Sequence, residues 1–163
     1  MRPNPLTVER ATAGLEHEES VPKLLSATAR TLVDLLDVAA CTISRVIGDL
    51  LVDLVHHRKV GQSARIGHGY LISDYPLTRE VLERVEPRTV FVADADADPS
   101  EVKLLREMDF DALLMTAIDV DGRVWGLVEV YSDDGRRFEE DDVSIAVEVT
   151  RAAANRLKQL EAQ

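Results

Sequence analysis

The sequence predicts a mixed α/β (α+β) fold in which long terminal helices cover one face of a mostly antiparallel sheet. The first observation is a pair of apolar runs, residues 112–120 and 123–131, that flank the dipeptide Asp121-Gly122. This dipeptide favours a tight hairpin because both central residues of such a turn need a positive φ. The second observation is that apolar residues recur every three or four positions near both ends of the chain, which is typical of amphipathic helices packed on a sheet.

The composition limits the class of protein. The chain has 163 residues and a hydrophobic content of 45%, which suits one globular domain with a substantial core. Its net charge of −11 argues against nucleic-acid binding, since phosphate contacts need clustered Lys and Arg. No apolar run reaches the roughly 18 residues of a membrane span, and the N-terminus lacks the apolar core of a signal peptide. We therefore expect no membrane contact and a cytoplasmic protein, or a cytoplasmic part of a larger one.

The N-terminal part is expected to contain a tail or linker helix over residues 1–19, followed by the domain over residues 20–163. Ser20 as N-cap and Pro22 in the first turn predict the start of a helix. Its apolar stripe predicts an end near Asp37.

A first hairpin is predicted next, with strands over residues 39–47 and 50–57 joined at Gly48-Asp49. Residues 58–75 have no sustained period, and a segment of this length without its own structure is usually functional. The rest of the chain predicts a short helix over residues 76–85, a strand over 88–93, a helix over 100–108, the hairpin already described, and a long last helix that begins after residues 139–142.

With these elements in place, the chain resembles a GAF domain, a sensory module related to PAS. The resemblance is most specific over residues 110–131, over residues 138–142 leading into the last helix, and over residues 67–83, which read GHGYLISDYPLTREVLE. It implies a sheet of five or six antiparallel strands, with the terminal helices on one face and a ligand pocket on the other, roofed by the loop and the short helices. This combination is associated with bacterial GAF modules, including those of cyclic-di-nucleotide signalling proteins.

The alternation of side chains along the central hairpin sorts its residues onto two faces. Gly126 is expected where a backbone approaches a helix closely, so its face is assigned to the terminal helices and the other face to the pocket. Loop residues with apolar bodies are candidates for a lid. The predicted pocket residues are Tyr70, Ile72 and Tyr75 from the loop and Leu113, Met115, Ala117, Trp125, Leu127, Glu129 and Tyr131 from the hairpin.

Glu129 is the informative member of this set, because a bare carboxylate among apolar side chains is too costly to bury. It is either a polar anchor for a ligand or one half of a buried ion pair. The candidate partners for such a pair are Arg45, Arg65 and Arg79. Tyr75-Pro76 also has two interpretations, part of a lid or a plain entry into the short helix.

No metal or haem site is predicted. Asp94, Asp96 and Asp98 have the spacing of a calcium loop, but Pro99 and Leu105 stand where that loop needs Gly and Glu, so capping of the helix over residues 100–108 is favoured. His56 and His57 are adjacent on a strand and point to opposite faces, and His68 stands alone in the loop. The region that resembles the haem-ligating part of haem-binding GAF sensors contains no histidine.

Cys41 is the single cysteine of the chain. GAF reductases that act on free methionine sulfoxide use a nucleophilic and a resolving cysteine, which one residue cannot provide. Covalent bilin attachment would need a pocket cysteine near the short helices. The cyclic-nucleotide pattern of GAF domains is matched at Phe138 and Asp142 but not at Tyr131-Ser132, where Asn-Lys is expected. The cofactor is therefore left unassigned.

The sequence thus predicts a non-catalytic sensory GAF domain of a signal-transduction protein, which binds a small molecule and transmits its state through the terminal helices. A homodimer through those helices, paired as a four-helix bundle, is expected, with the small residues 152–154 allowing close contact. The alternative function is a GAF fold that serves only as a dimerisation or structural module with no ligand.

Overall fold

The computed structural model describes residues 3–61 and 67–163. A short 3₁₀ helix spans Ile72–Asp74. The main elements in chain order are α1 (Pro5–Leu15), α2 (Val21–Leu36), β1 (Ala40–Ile47), β2 (Leu50–Arg58), β3 (Gly69–Leu71), α3 (Pro76–Arg84), β4 (Arg88–Phe91), α4 (Pro99–Glu107), β5 (Ala112–Val120), β6 (Arg123–Ser132) and α5 (Glu140–Glu161).

The six strands form one sheet in the order β3-β2-β1-β6-β5-β4, and every neighbouring pair is antiparallel. The central hairpin turns at Asp121 and Gly122, whose φ angles of 52° and 79° are both positive. This conformation is the one that the dipeptide predicts. The predicted fold class, an antiparallel sheet with helices, is therefore confirmed.

The terminal helices begin and end where the local chemistry favours it. The Ser20 hydroxyl accepts a hydrogen bond from the Lys23 amide, and Asp37 ends α2 in the left-handed region. Glu139 and Asp142 form a reciprocal capping box at the start of α5. The segment predicted as a tail or linker contains α1, which packs on α2 and α5. None of the helices in residues 3–61 and 67–163 is both long and apolar enough to span a membrane.

The two faces of the sheet carry separate apolar clusters. The helix-face core packs α1, α2 and α5 on the sheet and includes Leu24, Leu114 and Leu157. The pocket-face core packs the other side of the sheet against α3 and α4 and includes Leu113, Met115 and Leu127. The alternation predicted from the hairpin is therefore correct over most of its length.

Trp125 is the exception, and its predicted position on the pocket face is wrong. The register between β5 and β6 shifts so that Ile118 is opposite Gly126 while Asp119 is opposite Val124, which leaves Trp125 as an extra residue. A bulge of this kind turns the side chains beyond it to the other face. Trp125 consequently lies in the helix-face core, and Val124 packs against the pocket-face core.

Two further expectations change with the packing. The close approach at Gly126 is to a strand and not to a helix, because a Cβ atom built there would lie 2.3 Å from the Ser44 carbonyl oxygen of β1. The small residues 152–154 are also largely used inside the chain. Ala153 and Ala154 are buried in the helix-face core, so their size serves the contact of α5 with the rest of the domain.

Candidate functional site

A cavity of about 260 Å³ lies between the sheet and the two short helices α3 and α4. Its floor is one row of residues that run across three strands. Thr42 of β1 is directly opposite His56 of β2 on one side and Glu129 of β6 on the other. In the next row of the same face, Ala40 has Arg58 and Tyr131 as its two partners. The antiparallel register therefore brings polar residues from three strands onto one surface.

Three carboxylates on the less exposed side of the cavity lining interact electrostatically: Asp53, Glu101 and Glu129. The pKa of Glu129 is raised to about 8, mainly by burial and then by the charges of Glu101 and Asp53, while a hydrogen bond with Tyr131 acts in the opposite direction. Burial also raises the pKa values of Asp53 and Glu101. We call these three residues the carboxylate cluster. The main cause of the raised pKa is the same for all three residues: burial removes water from the charged form of the carboxyl group.

Hydroxyl groups hold two members of the carboxylate cluster in place. The Ser44 hydroxyl donates to Asp53 at 2.6 Å. The Thr78 hydroxyl donates to Glu101 at 2.5 Å and also lies 3.4 Å from the sulfur of Met115. Glu101 is only 1% exposed, so the start of α4 is tied to α3 through a buried polar contact. This contact orients the two helices that cover the cavity.

The ion-pair interpretation of Glu129 is contradicted for two of its three candidate partners. The guanidinium of Arg45 lies 4.5 Å from the ring centre of Trp125, on the helix face of the sheet. Arg79 pairs with Glu83 at 2.7 Å. Arg65 lies outside the described residues. The charges acting on Glu129 in the described part of the chain are carboxylates.

Aromatic rings form the walls of the cavity. Phe110 and Tyr131 stack with ring centres 4.8 Å apart, and Tyr70 meets Tyr75 edge to face at 6.0 Å. The guanidinium of Arg58 lies 5.7 Å from the Phe110 ring centre. Arg58, His68 and Glu107 line the cavity and are exposed, so we call these three residues the mouth. His56, on the floor of the cavity, is half-buried, and its Nδ1 atom and the Thr42 hydroxyl form a hydrogen bond of 2.7 Å.

The structure separates the predicted pocket residues into three groups. Tyr70, Tyr75, Glu129 and Tyr131 line the cavity. Trp125 is on the opposite face. The remaining residues belong to the pocket-face core without lining the cavity: Ile72, Leu113, Met115, Ala117 and Leu127.

Sequence analysis missed most of the polar lining, including Thr42, Asp53 and Glu101. Thr42 and Asp53 interrupt apolar runs in β1 and β2, so the alternation of the first hairpin could have identified them. Glu101 carried no such signal, since an acidic residue in the first turn of a helix has an ordinary electrostatic explanation. His68, expected to stand alone in the loop, lines the same cavity as His56.

Several candidate motifs have structural roles instead. Asp98 caps α4 by accepting a hydrogen bond from the Glu101 amide, as predicted, and Asp94 pairs with Arg137. Phe138 is in the helix-face core, and Asp142 belongs to the capping box of α5. Cys41 is buried in the helix-face core, where desolvation raises the pKa of its thiol. Within residues 3–61 and 67–163, no three His, Cys, Asp or Glu side chains are grouped to hold a metal ion.

Comparison with solved structures identifies the fold. The chromophore-binding domain of an unusual bacteriophytochrome, RpBphP3 from R. palustris, superimposes with a TM-score of 0.85 at 13% identity, over 96% of this chain and 60% of that chain. The phycocyanobilin-bound GAF domain from a cyanobacterial phytochrome superimposes with a TM-score of 0.82 at 19% identity, over 99% of this chain and 98% of that chain. The far-red-absorbing dark state of JSC1_58120g3 with bound biliverdin IXa superimposes with a TM-score of 0.81 at 15% identity, over 95% of this chain and 99% of that chain.

A comparison with curated proteins found no match. The family model for the GAF domain matches residues 20–157, which is most of the chain. The antiparallel sheet, the terminal helices on one face and the cavity under short helices on the other agree with that match. This chain therefore belongs to the GAF domain family.

Proposed function

We propose that this chain is a non-catalytic sensory domain of a signal-transduction protein, which binds a small molecule in the cavity and reports its presence through the terminal helices. The observation that carries the proposal is the carboxylate cluster, kept beside the apolar core of the pocket face at a cost in stability. A core that served only for folding would be more stable with apolar residues at these positions. A ligand that pairs with the cluster would offset this cost.

The size of the cavity favours a compact ligand. At about 30 Å³ for each water-sized group, about 260 Å³ holds roughly nine such groups. This is just below the range of about 300–1,000 Å³ that is usual for ligand sites. The phytochrome neighbours bind bilins, which are open-chain tetrapyrroles with many more atoms. The single cysteine is buried on the other face of the sheet, so we propose a smaller ligand held without a covalent bond.

β6 offers a route from the cavity to the helices. Glu129 lies on the cavity floor, and its neighbours Val128 and Val130 lie in the helix-face core. Farther along the same strand, the Trp125 indole N–H donates to Glu161 near the end of α5, at 3.3 Å. A shift of β6 on ligand binding would therefore displace α5. We include in the proposal a homodimer through the terminal helices, which would make such a displacement readable by an attached domain.

The proposal is tested by a thermal-shift screen of compact compounds, with native mass spectrometry and Trp125 fluorescence on the hits. A ligand at 100 times its Kd should stabilise the fold by about 2.7 kcal/mol. Leu51→Phe places a ring in the cavity and should abolish this gain. Leu71→Phe, on the exposed face of β3, is the matched control and should keep it.

Three results would contradict parts of the proposal. If no compound stabilises the protein, the sensory function fails, and the structural-module alternative is favoured. Compounds that stabilise the Leu51→Phe variant as well as the original chain bind somewhere other than the cavity. A mass that stays monomeric at high protein concentration removes the homodimer from the proposal.

A further inference from the structure

We propose that the ligand of this cavity is a small organic cation with a planar nitrogen head, such as an amidinium or guanidinium, which pairs with Glu129 in the carboxylate cluster. This inference rests on the proposed function, since it names the chemical class of the molecule that the cavity takes. It is carried by the distribution of charge along the cavity, by the partners of the three carboxylates and by the aromatic walls.

The charge of the cavity lining differs between its exposed side, the mouth, and its less exposed side, which we call the deep end. The mouth has mixed charge, with the exposed side chains of Arg58, His68 and Glu107. The deep end holds the carboxylate cluster, of which Asp53 and Glu101 are buried and Glu129 is half-buried. His56 does not supply a balancing charge, because burial and the nearby Arg58 lower its pKa and favour the neutral ring. A ligand that reaches the deep end therefore meets an excess of negative charge.

The hydrogen-bond partners of the carboxylates are neutral, and the cationic influence is limited to the charge of His68, which lowers the pKa of Asp53 against the larger effect of burial. Asp53 accepts from Ser44, Glu101 accepts from Thr78, and Glu129 is hydrogen-bonded to Tyr131. Within residues 3–61 and 67–163, no Lys or Arg forms a salt bridge with any of the three. The charges of Glu101 and Asp53 raise the pKa of Glu129, so ionisation of the whole cluster is unfavourable without a counter-ion. A ligand cation would supply that counter-ion, and a planar two-nitrogen head can form two parallel hydrogen bonds to one carboxylate.

The aromatic walls suit the rest of such a ligand. The stacked pair of Phe110 and Tyr131 is on one side of the cavity, and the edge-to-face pair of Tyr70 and Tyr75 is near the loop. The faces of these rings carry negative potential and attract cations. They also provide a flat apolar surface for a ring attached to the cationic head.

Binding of a cation changes the protonation of Glu129, with the proton going to solvent. The titratable groups that interact with it are the carboxyls of Asp53 and Glu101, the thiol of Cys41 and the phenols of Tyr75 and Tyr131, and the raised pKa values of the thiol and the phenols keep them neutral. With a pKa of about 8, roughly nine-tenths of the Glu129 carboxyl is protonated at pH 7 in the empty cavity. A cation that enters pairs with the ionised form. Binding at pH 7 should therefore release close to one proton, and affinity should rise roughly tenfold between pH 7 and pH 9.

Three probes of nearly equal size separate the alternatives: benzamidine as the cation, benzamide as the neutral amide and benzoate as the anion. Each is compact enough for the cavity, and benzamidine stays charged throughout this pH range. Binding to the full chain is measured by calorimetry in two buffers with different ionisation enthalpies, which counts the released protons. We expect benzamidine to bind at least tenfold more tightly than benzamide or benzoate, with proton release at pH 7 that disappears at pH 9.

Glu129→Gln keeps the shape of the side chain and removes its charge. This variant should bind benzamidine at least tenfold more weakly and lose both the proton release and the pH dependence. Glu148→Gln, on the exposed surface of α5, is the matched control and should behave like the original chain. Circular dichroism and the unfolding midpoint establish that the Glu129→Gln variant is folded before its affinity is compared.

The inference is overturned if benzamide or benzoate binds as tightly as benzamidine, or if Glu129→Gln binds benzamidine unchanged. It is also overturned if none of the three probes binds while compounds from the screen above stabilise the protein. In that case the sensory function survives and only the cationic class is wrong. If no compound of any class binds, the proposed function fails together with the inference.

Discussion

The two faces of the sheet use the same strands for opposite purposes. On the helix face, β1, β5 and β6 contribute Ile43, Leu114 and Val128 to a core that α2 and α5 close completely. On the other face, β1 and β6 contribute Thr42 and Glu129 to the lining of a cavity of about 260 Å³. The first surface is built for stability, and the second gives up stability to keep polar groups available. Side-chain alternation makes both compatible, because successive residues of a strand point to opposite faces wherever the register is regular.

The two faces of the sheet contribute differently to the stability of the fold, and the unfavourable contribution comes from particular residues. Apolar area buried on the helix face stabilises the fold by about 25 cal/mol for each Å². The carboxylate cluster on the pocket face is desolvated, and none of its members forms a salt bridge within residues 3–61 and 67–163, so ionisation there works against folding. We therefore expect substitutions on the two faces to have effects of different size and, at one position, of opposite sign.

The largest expected difference is between two leucines. Leu114→Ala removes a fully buried side chain from the helix-face core and should lower the free energy of unfolding by about 2–5 kcal/mol. Leu51→Ala should cost about 2 kcal/mol or less, because the Leu51 side chain already borders open space in the cavity. Urea unfolding of both variants measures the contrast. Equal losses would show that the pocket face is packed as tightly as the helix face.

The next effect concerns Glu129 and depends on pH. Folding raises the pKa of this carboxyl from about 4.5 to about 8, so the folded state holds a proton that the unfolded state has lost. Stability therefore falls as pH rises from about 4.5 to about 8 and levels off above that range. Glu129→Gln removes this loss and should be more stable than the original chain by about 1–3 kcal/mol at pH 8.

The test is a pair of unfolding curves at each of several pH values. The gap between Glu129→Gln and the original chain should close near pH 4, where the carboxyl is protonated in both the folded and the unfolded chain. Glu148→Gln is the surface control and should show no such trend. A variant that is less stable than the original chain at pH 8 would mean that the ionised Glu129 has a favourable partner in the empty protein.

The smallest effect tests the corrected position of Trp125. Arg45→Ala removes the guanidinium that lies 4.5 Å from the indole ring centre and should cost about 0.5–1 kcal/mol. It should also shift the emission of this single tryptophan. Glu129→Gln, on the other face, should leave the emission of the empty protein unchanged. The reverse pattern would place Trp125 in the pocket after all.

Local sequence patterns predicted the element order apart from β3 and the 3₁₀ helix, which lie in the predicted loop, and they also predicted the two hairpins, the caps at Ser20 and Asp98, and most of the division of β5 and β6 into two faces. These features depend on local rules: turn residues with positive φ, side chains that cap helices, and a period of two along a strand. The resemblance of residues 110–131, 138–142 and 67–83 to GAF domains indicated the family, and the alternation along the central hairpin selected Glu129. They failed at Trp125, because a bulge is a property of the pairing between two strands.

Only the tertiary structure decided which polar groups meet. Asp53, Glu101 and Glu129 come from β2, α4 and β6, and nothing in the sequence indicates that they share one cavity. Their proximity depends on strand order and on the docking of α4 over the sheet, which local patterns do not encode. The pKa shifts follow from that proximity and burial. The central hairpin therefore specified the floor of the site, and long-range packing specified its chemistry.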